Sequence, residues 1–321
     1  GDWSSDVCSS DLLKKVCILV ISLFFAPVIL AKSIVVGVSM YSLADKYPTY
    51  LQDSMDKFVT SQSNLKFKYA DANGDPAKML NDVENFIDSK VDALIIMPTD
   101  QKIVKAIGLK ARKAKIPLIV VTVKPNEEDM QYVASYVGSE EIKSGEMQGK
   151  FIVNSLNGKP AKAIILLGPL GLEAQIKRTE GNKKIFAQHP EIKVVAEQEA
   201  KWDRAKGMEV AENLLSAHRD TNVILSNNDE MAIGALLAAK KLGFKDEDIL
   251  IVGIDATPDA LAYLGNGLDA TVYQSASGQG RLSAEMAYKA ALGEDVPKYN
   301  WIPFELVTPE MKEQYINKYK E

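Results

Sequence analysis

Uninterrupted apolar runs recur along this chain with amphipathic stretches between them, and that rhythm limits the possible folds more than any other feature of the sequence. Val91 to Met97 and Pro117 to Val123 are such runs, and helical spacing fills the interval from about Asp100 to Lys113. A strand without polar alternation is buried on both faces, which is the condition inside a parallel sheet. Ser33 to Met40 and the alternating Leu65 to Ala70 read as strands of the same series. Tyr50 to Gln62 reads as a helix, because Leu51, Met55, Phe58 and Val59 fall on one face. Asp75-Pro76 supplies an N-cap followed by proline at the first helical position, opening a helix to about Ser89.

The pattern restarts after Tyr132 to Val137. Strands are expected at Ala161–Leu167, Lys193–Glu199, Val223–Leu225, Ile249–Ile254 and Ala270–Gln274, with helices at Ala205–Ala217 and Glu230–Leu242 among them. An internal echo supports two similar halves. Ile95-Ile-Met-Pro-Thr-Asp100, a helix and a strand ending at Thr122 parallel Ile224-Leu-Ser-Asn-Asn-Asp229, a helix and a strand ending at Asp255. Repeated βα units in 321 residues predict an α/β protein of two doubly wound parallel sheets, each covered by helices on both faces.

Ahead of this pattern, Gly1 to Asp11 is polar and acidic and reads as a non-native leader. Residues 12–31 have the layout of a signal peptide: Lys14 and Lys15, an apolar run from Val16 to Leu30, and the small Ala31. The apolar run is broken by Ser22 and Pro27 and falls short of the ~20 residues needed to span a bilayer. Both cysteines, Cys8 and Cys17, lie in this part, and Cys17 follows Lys-Lys-Val rather than the small residues of a lipidation site. An exported chain without further thiols needs a packed core instead of disulfides, and a bacterial periplasm is the expected location. A net charge of -5 with no basic stretch argues against a nucleic-acid partner.

In doubly wound sheets ligands bind beyond the carboxyl ends of the strands, so residues there carry the functional argument. Asp45 and Tyr47 follow the first strand, Thr122 and Lys124 the fourth. The second half contributes Trp202 and Asp203, Asn227-Asn228-Asp229, Asp255 and Gln274, with Arg178 on the helix after Leu167-Gly168-Pro169. Carboxylate, guanidinium and amide groups mixed with aromatic rings suit a compact polyhydroxylated ligand, since each polar group bridges hydroxyls while a ring covers the C–H face. Simpler readings exist for each residue taken singly. Asn228 and Asp229 fit a helix cap, because Asn227 and Glu230 have capping-box spacing. Arg178 fits a solvated helix charge, Trp202 strand-end packing, Asp45 and Tyr47 loop positions, and Asp255 the start of a helix. Asn228, Asp255 and Gln274 together, ending three nearby strands, favour a shared site.

Catalysis finds little support. His189 and His218 sit near helix ends, and no HExxH, nucleophile elbow or P-loop occurs. Gly265-Asn-Gly267 runs from a helix into a strand, the reverse of a dinucleotide fingerprint. No metal-ligand cluster and no cofactor motif is found, so neither catalytic nor metal residues are expected.

At Asn227-Asn-Asp-Glu-Met-Ala-Ile-Gly-Ala-Leu236 and Val252-Gly-Ile-Asp-Ala-Thr-Pro-Asp-Ala260 the sequence resembles the ribose-type (type I) periplasmic sugar-binding proteins of ABC importers, over nearly all of residues 33–321. Tyr136-Val-Gly-Ser-Glu-Glu141, Trp202-Asp-Arg-Ala205 and Trp301-Ile-Pro-Phe-Glu-Leu-Val-Thr-Pro309 look most like the inositol- and rhizopine-binding branch. The resemblance implies a Venus-flytrap of two lobes, 33–138 plus 275–303 and 139–274 plus 304–321. Three hinge crossings join them, near Gly138, Gln274–Ser275 and Pro303–Phe304. It implies closure on a sugar or cyclitol, delivery to ABC permease subunits and a monomeric state. The alternative function is a ligand-sensing subunit that presents a sugar to a chemoreceptor or sensor kinase, and a further one is a periplasmic carbohydrate enzyme. A transcriptional regulator core of the same fold would carry a helix-turn-helix where this chain has its export signal. Carried over by position, Asp45, Tyr47, Arg178, Trp202, Asn228, Asp255 and Gln274 match the family's ligand contacts. Thr122-Val123 stands where the family usually has Asp or Asn followed by Arg, Pro48 stands where a second aromatic is common, and Lys124 is placed to compensate.

Overall fold

The computed structural model describes residues 32–319, so the leader and export signal expected over residues 1–31 lie outside the described residues. The first half alternates β1 (Ile34–Met40), α1 (Lys46–Thr60), β2 (Leu65–Asp71), α2 (Pro76–Asp88), β3 (Ala93–Ile96), α3 (Ile103–Ala114), β4 (Leu118–Val121) and β5 (Ser135–Gly138). The second runs through α4 (Glu141–Leu156), β6 (Ala161–Leu167), α5 (Glu173–Phe186), β7 (Ile192–Glu199), α6 (Arg204–Ala217), β8 (Val223–Ser226), α7 (Asp229–Lys241), β9 (Leu250–Val252), α8 (Pro258–Tyr263) and β10 (Thr271–Tyr273). The chain then forms α9 (Ala276–Ala291), β11 (Tyr299–Trp301), β12 (Glu305–Val307) and α10 (Lys312–Lys318).

Two parallel sheets result, in the strand orders β11-β5-β4-β3-β1-β2 and β7-β6-β8-β9. The apolar runs that suggested two-faced burial are the buried central strands β3 and β4. On one face of the first sheet Leu51 and Met55 of α1 pack with Ala284 and Ala287 of α9. Met79 and Val83 of α2 and Ile107 and Ala111 of α3 cover the other. Residues of α6, α7 and α8 cover one face of the second sheet and those of α4 and α5 the other.

Three differences from the sequence reading matter. α1 begins at Lys46 rather than Tyr50, because Pro48 falls in its first turn, where a missing N–H costs no helical hydrogen bond. That places Asp45 at the N-cap with an extended backbone and no side-chain cap bond. Second, an antiparallel pair is added at the end of the chain: β10 pairs with β12 antiparallel, while Ala270 and Tyr273 lie parallel to the second sheet through the bridges Val252–Ala270 and Asp255–Tyr273. β11 and β12 have three residues each, too short for a visible period. Third, β9 stops at Val252, and the chain beyond it turns through Asp255 (φ 121°) and Ala256 (φ 54°).

Close packing of α4 on α5 rests on two glycines. A Cβ at Gly145 would lie 1.9 Å from the Arg178 carbonyl oxygen, and one at Gly181 would lie 2.4 Å from the Ile142 carbonyl oxygen. Both obstacles are backbone, which yields only if the helices separate. We therefore expect Gly145→Ala to destabilise the protein by about 1–3 kcal/mol, the usual scale of overpacking. Thermal unfolding measures this, and an unchanged midpoint would show that the helices separate freely.

Candidate functional site

The carboxyl ends of the two sheets face a single cavity, whose space counted out to the mouth is about 700 Å³. The first half lines it with Tyr41, Asp45, Tyr47 and Pro48 after β1, Met97 and Pro98 after β3, and Thr122 and Val123 after β4. From the second come Glu173 and Arg178 of α5, Trp202 after β7, Asn228 and Glu230 at the head of α7, Asp255 after β9 and Gln274 after β10. Asp45, Tyr47, Thr122, Arg178, Trp202, Asn228, Asp255 and Gln274, expected from the sequence to bind ligand, thus line one hollow. Lys124, Asp203, Asn227 and Asp229 do not, and the Lys124 ammonium pairs with Glu127 Oε2 at 3.0 Å.

Arg178 is the organising group, buried at 4% exposure and not the solvated charge that its helical position allowed. Its Nε donates to Glu141 Oε2 (2.7 Å), Nη1 to the Asn227 carbonyl (2.7 Å) and Nη2 to Gln274 Oε1 (2.9 Å), while Asp255 Oδ1 lies 3.8 Å from Nη1. A rigid donor fork suits this arrangement as no ammonium would. Burial works against the charge, but Glu141 and Asp255 outweigh it and raise the guanidinium above its ordinary range. Because Gln274 spends its oxygen on Arg178, its amide nitrogen is the atom left over, buried and without a hydrogen-bond partner among the described residues. The Tyr47 hydroxyl and Glu173 Oε2 share that condition. Buried donors and acceptors of this kind cost roughly 1–3 kcal/mol each until something bonds them.

The apolar side is shaped with equal care. The Arg178 guanidinium lies 5.7 Å from the Trp202 ring centre, and the indole lies against Gly168, where a Cβ would stand 2.1 Å from Trp202 Cη2. Trp202 holds a left-handed backbone (φ 63°), and Asn228 Nδ2 fixes it by donating to its carbonyl at 3.2 Å. Asn228 is also the α7 N-cap, its Oδ1 accepting from Met231 N at 3.0 Å, so the capping and cavity readings of this residue are both realised. Behind Asp255, buried Asp229 accepts from Thr271 Oγ1 (2.6 Å) and Thr257 N (2.8 Å), bracing the turn that carries Asp255. At the mouth, Arg204 grips both oxygens of Glu230 (2.8 and 2.9 Å) and Asp259 Oδ2 (2.6 Å).

Thr122 lines the cavity while its hydroxyl donates to Gln279 Oε1 at 2.8 Å, and its backbone is left-handed (φ 67°), a rare state for a β-branched residue.

Carboxyl groups dominate the electrostatics. Burial pushes Asp45 up to about 6, helped by Asp203, Asp71 and Glu230. Burial and then Glu141 push Glu173 up to about 8, against the opposing pull of Arg178, Lys124 and Lys177. For Asp255 burial raises the pKa well above the usual range although Arg178 opposes it. Glu141 and Glu173 were not singled out from the sequence. Each opens a helix, and an acidic residue at a helix start is ordinarily explained by the helix dipole alone.

Known proteins resemble this chain throughout its described part. Residues 36–295 match the family model of the periplasmic binding protein domain. A Rhizobium meliloti protein named for rhizopine binding is 38% identical over 277 residues, covering 85% of this chain and 89% of that protein. The ribose import binding protein of Bacillus subtilis is 36% identical over 278 residues, with 86% and 88% covered. Among solved structures, an ABC transporter solute binding protein from Bacillus halodurans C-125 with bound myo-inositol superposes with a TM-score of 0.85 at 41% identity, covering 89% of this chain and 98% of that one. The likeness read from Asn227–Leu236 and Val252–Ala260 is therefore borne out.

The raised acids predict a pH dependence with a definite sign. A carboxyl whose folded pKa exceeds its unfolded value stabilises the fold fully below the unfolded value, and that contribution is lost as pH rises through the folded one. For Glu173 the window runs from its ordinary 4.5 to about 8. We expect the thermal midpoint of the protein to fall across that window and Glu173→Gln to fall less steeply. Equal slopes for the two proteins would show that Glu173 titrates as an ordinary glutamate.

Proposed function

We propose a function that starts from one premise: this chain belongs to the periplasmic binding protein domain family. It is a solute receptor that captures a small sugar or cyclitol, such as inositol, by closure of its two lobes and delivers it to the permease of an ABC importer. Of the relatives named above, two carry names for ribose and rhizopine binding and the third holds bound myo-inositol, which supports the ligand class. We assign the lobes as 33–138 plus 275–303 and 139–274 plus 304–321, hinged near Gly138, Gln274–Ser275 and Pro303–Phe304. Residues 12–31 serve as the export signal to the periplasm, and the receptor works as a monomer without a cofactor or a catalytic step.

One observation carries the reading: polar groups from both sheets meet in one hollow with hydrogen-bonding capacity to spare. Arg178 is committed to Glu141, Asn227 and Gln274, and the Gln274 amide nitrogen, the Tyr47 hydroxyl and Glu173 Oε2 remain. Asp45 and Asp255 add carboxyl groups from opposite lobes. A hydroxyl both donates and accepts, so a neutral polyol answers this set, whereas an anionic sugar acid would meet the carboxyl groups. The Trp202 ring beside them covers an apolar C–H face. Closure is stabilised only when one molecule bonds to both lobes, because otherwise these groups lose water without replacement.

A thermal-shift screen over inositols, pentoses and hexoses, followed by calorimetry, tests the class. We expect a neutral polyol to stabilise the protein, and Asp255→Ala to weaken its binding at least about 100-fold. One carboxyl group bonds two hydroxyls at roughly 0.5–1.5 kcal/mol each, and its loss leaves the ligand's hydroxyls buried without partners, at a further roughly 1–3 kcal/mol. Asp255→Ala should keep a cooperative unfolding transition. Arg178→Lys, which keeps the charge and loses the fork, should weaken binding by about tenfold or more. Undiminished affinity in either variant would remove that residue from the site.

A further inference from the structure

Gln279 lies outside the cavity, and the crossings between the lobes surround it. It is fully buried in the first turns of α9, a few residues past the Gln274–Ser275 crossing. Its Oε1 accepts from Thr122 Oγ1 (2.8 Å), and its Nε2 donates to Ser139 Oγ (3.1 Å). Ser139, next to Gly138, in turn donates to the Ile302 carbonyl at 2.7 Å, and Ile302 N donates to the Gly138 carbonyl at 2.8 Å. One directed chain of bonds thus runs from a cavity residue on β4's end through α9 to the segments leaving β5 and β11. Every donor in it is matched to an acceptor.

Thr122 is strained, and the strain needs a holder. Besides Gln279, its amide donates to the Val137 carbonyl (2.9 Å) and its carbonyl accepts from the Tyr136 hydroxyl (3.0 Å). Val137 and Tyr136 belong to β5, the strand that leads into the Gly138 crossing. A left-handed β-branched residue persists only where its surroundings over-determine it. Here those surroundings are the crossings themselves, so a change in their geometry changes what holds Thr122 against the cavity.

We propose that Gln279 is a positioning residue that couples the ligand cavity to all three crossings, so that the shape of the Thr122 loop and the closure of the lobes are set together. This rests on the polyol-receptor reading. Its consequence is reciprocal: ligand held by the closed cavity favours one geometry of the crossings, and loosening the crossings weakens the ligand equally. Ser139, which does not line the cavity, reaches it through Gln279, and its own bond to the Ile302 carbonyl ties two of the crossings together.

A double-mutant cycle tests it, using Thr122→Val, Gln279→Leu and the pair, with the tightest polyol of the screen as probe. We expect each single variant to weaken binding about tenfold and the pair to be no weaker than Gln279→Leu alone. The loss should appear as faster dissociation with an unchanged association rate, as befits a less stable closed state. Ser139→Ala should behave likewise, and it keeps the test available if Gln279→Leu does not fold. Losses that multiply in the pair, or Ser139→Ala with unaltered dissociation, would overturn the coupling. Wild-type protein that binds no polyol would instead overturn the reading beneath it, so the two failures are distinct.

Discussion

A guanidinium held out of water beside two carboxyl groups is the interaction on which the remaining site depends. Burying Arg178 is costly, and the cost is offset only by a complete set of partners: Glu141, the Asn227 carbonyl, Gln274 and the nearby Asp255. Those partners come from four different segments, so pairing one side chain fixes the mutual positions of α4, α5 and the loops after β8, β9 and β10. The close approach of α4 and α5 at Gly145 and Gly181 brings Glu141 and Arg178 within reach of each other. Arg178 then determines which end of the Gln274 amide is left for a ligand and supports the Trp202 ring from one side.

Preorganisation has a visible cost in the backbone. Thr122, Trp202 and Asp255 all have positive φ, and all three line the cavity. Such conformations cost on the order of 1–3 kcal/mol each. They are held by bonds from groups behind them: Gln279 for Thr122, Asn228 for Trp202, and the Asp229–Thr257–Thr271 brace beneath the Asp255 turn. A cavity whose side chains are ordered before the ligand arrives loses less entropy on binding.

Much of this was legible in the residues. The apolar runs at Val91–Met97 and Pro117–Val123 identified buried parallel strands, and eight of the twelve residues gathered by the strand-end rule line one cavity. What stayed hidden has physical reasons. Helix α1 started early because a proline in a first turn reads as a breaker when its position is unknown. β11 and β12 are too short to show a period. Glu173 and Glu141 were masked by the ordinary preference for acids at helix starts, and Gln279 by the absence of any local signal for a buried amide whose partners lie 140 and 157 residues away. Thr122 was placed at the cavity, but its bond to Gln279 was hidden, since sequence position does not tell which way a hydroxyl turns.

A crystal structure of the protein with the polyol that stabilises it most would test the central claim directly. The account predicts one molecule between the two sheets, bonded to Asp45 from one lobe and to Asp255 and the Gln274 amide nitrogen from the other, with Arg178 still paired to Glu141. A polyol held by one lobe only, or on a surface away from Arg178, would contradict it.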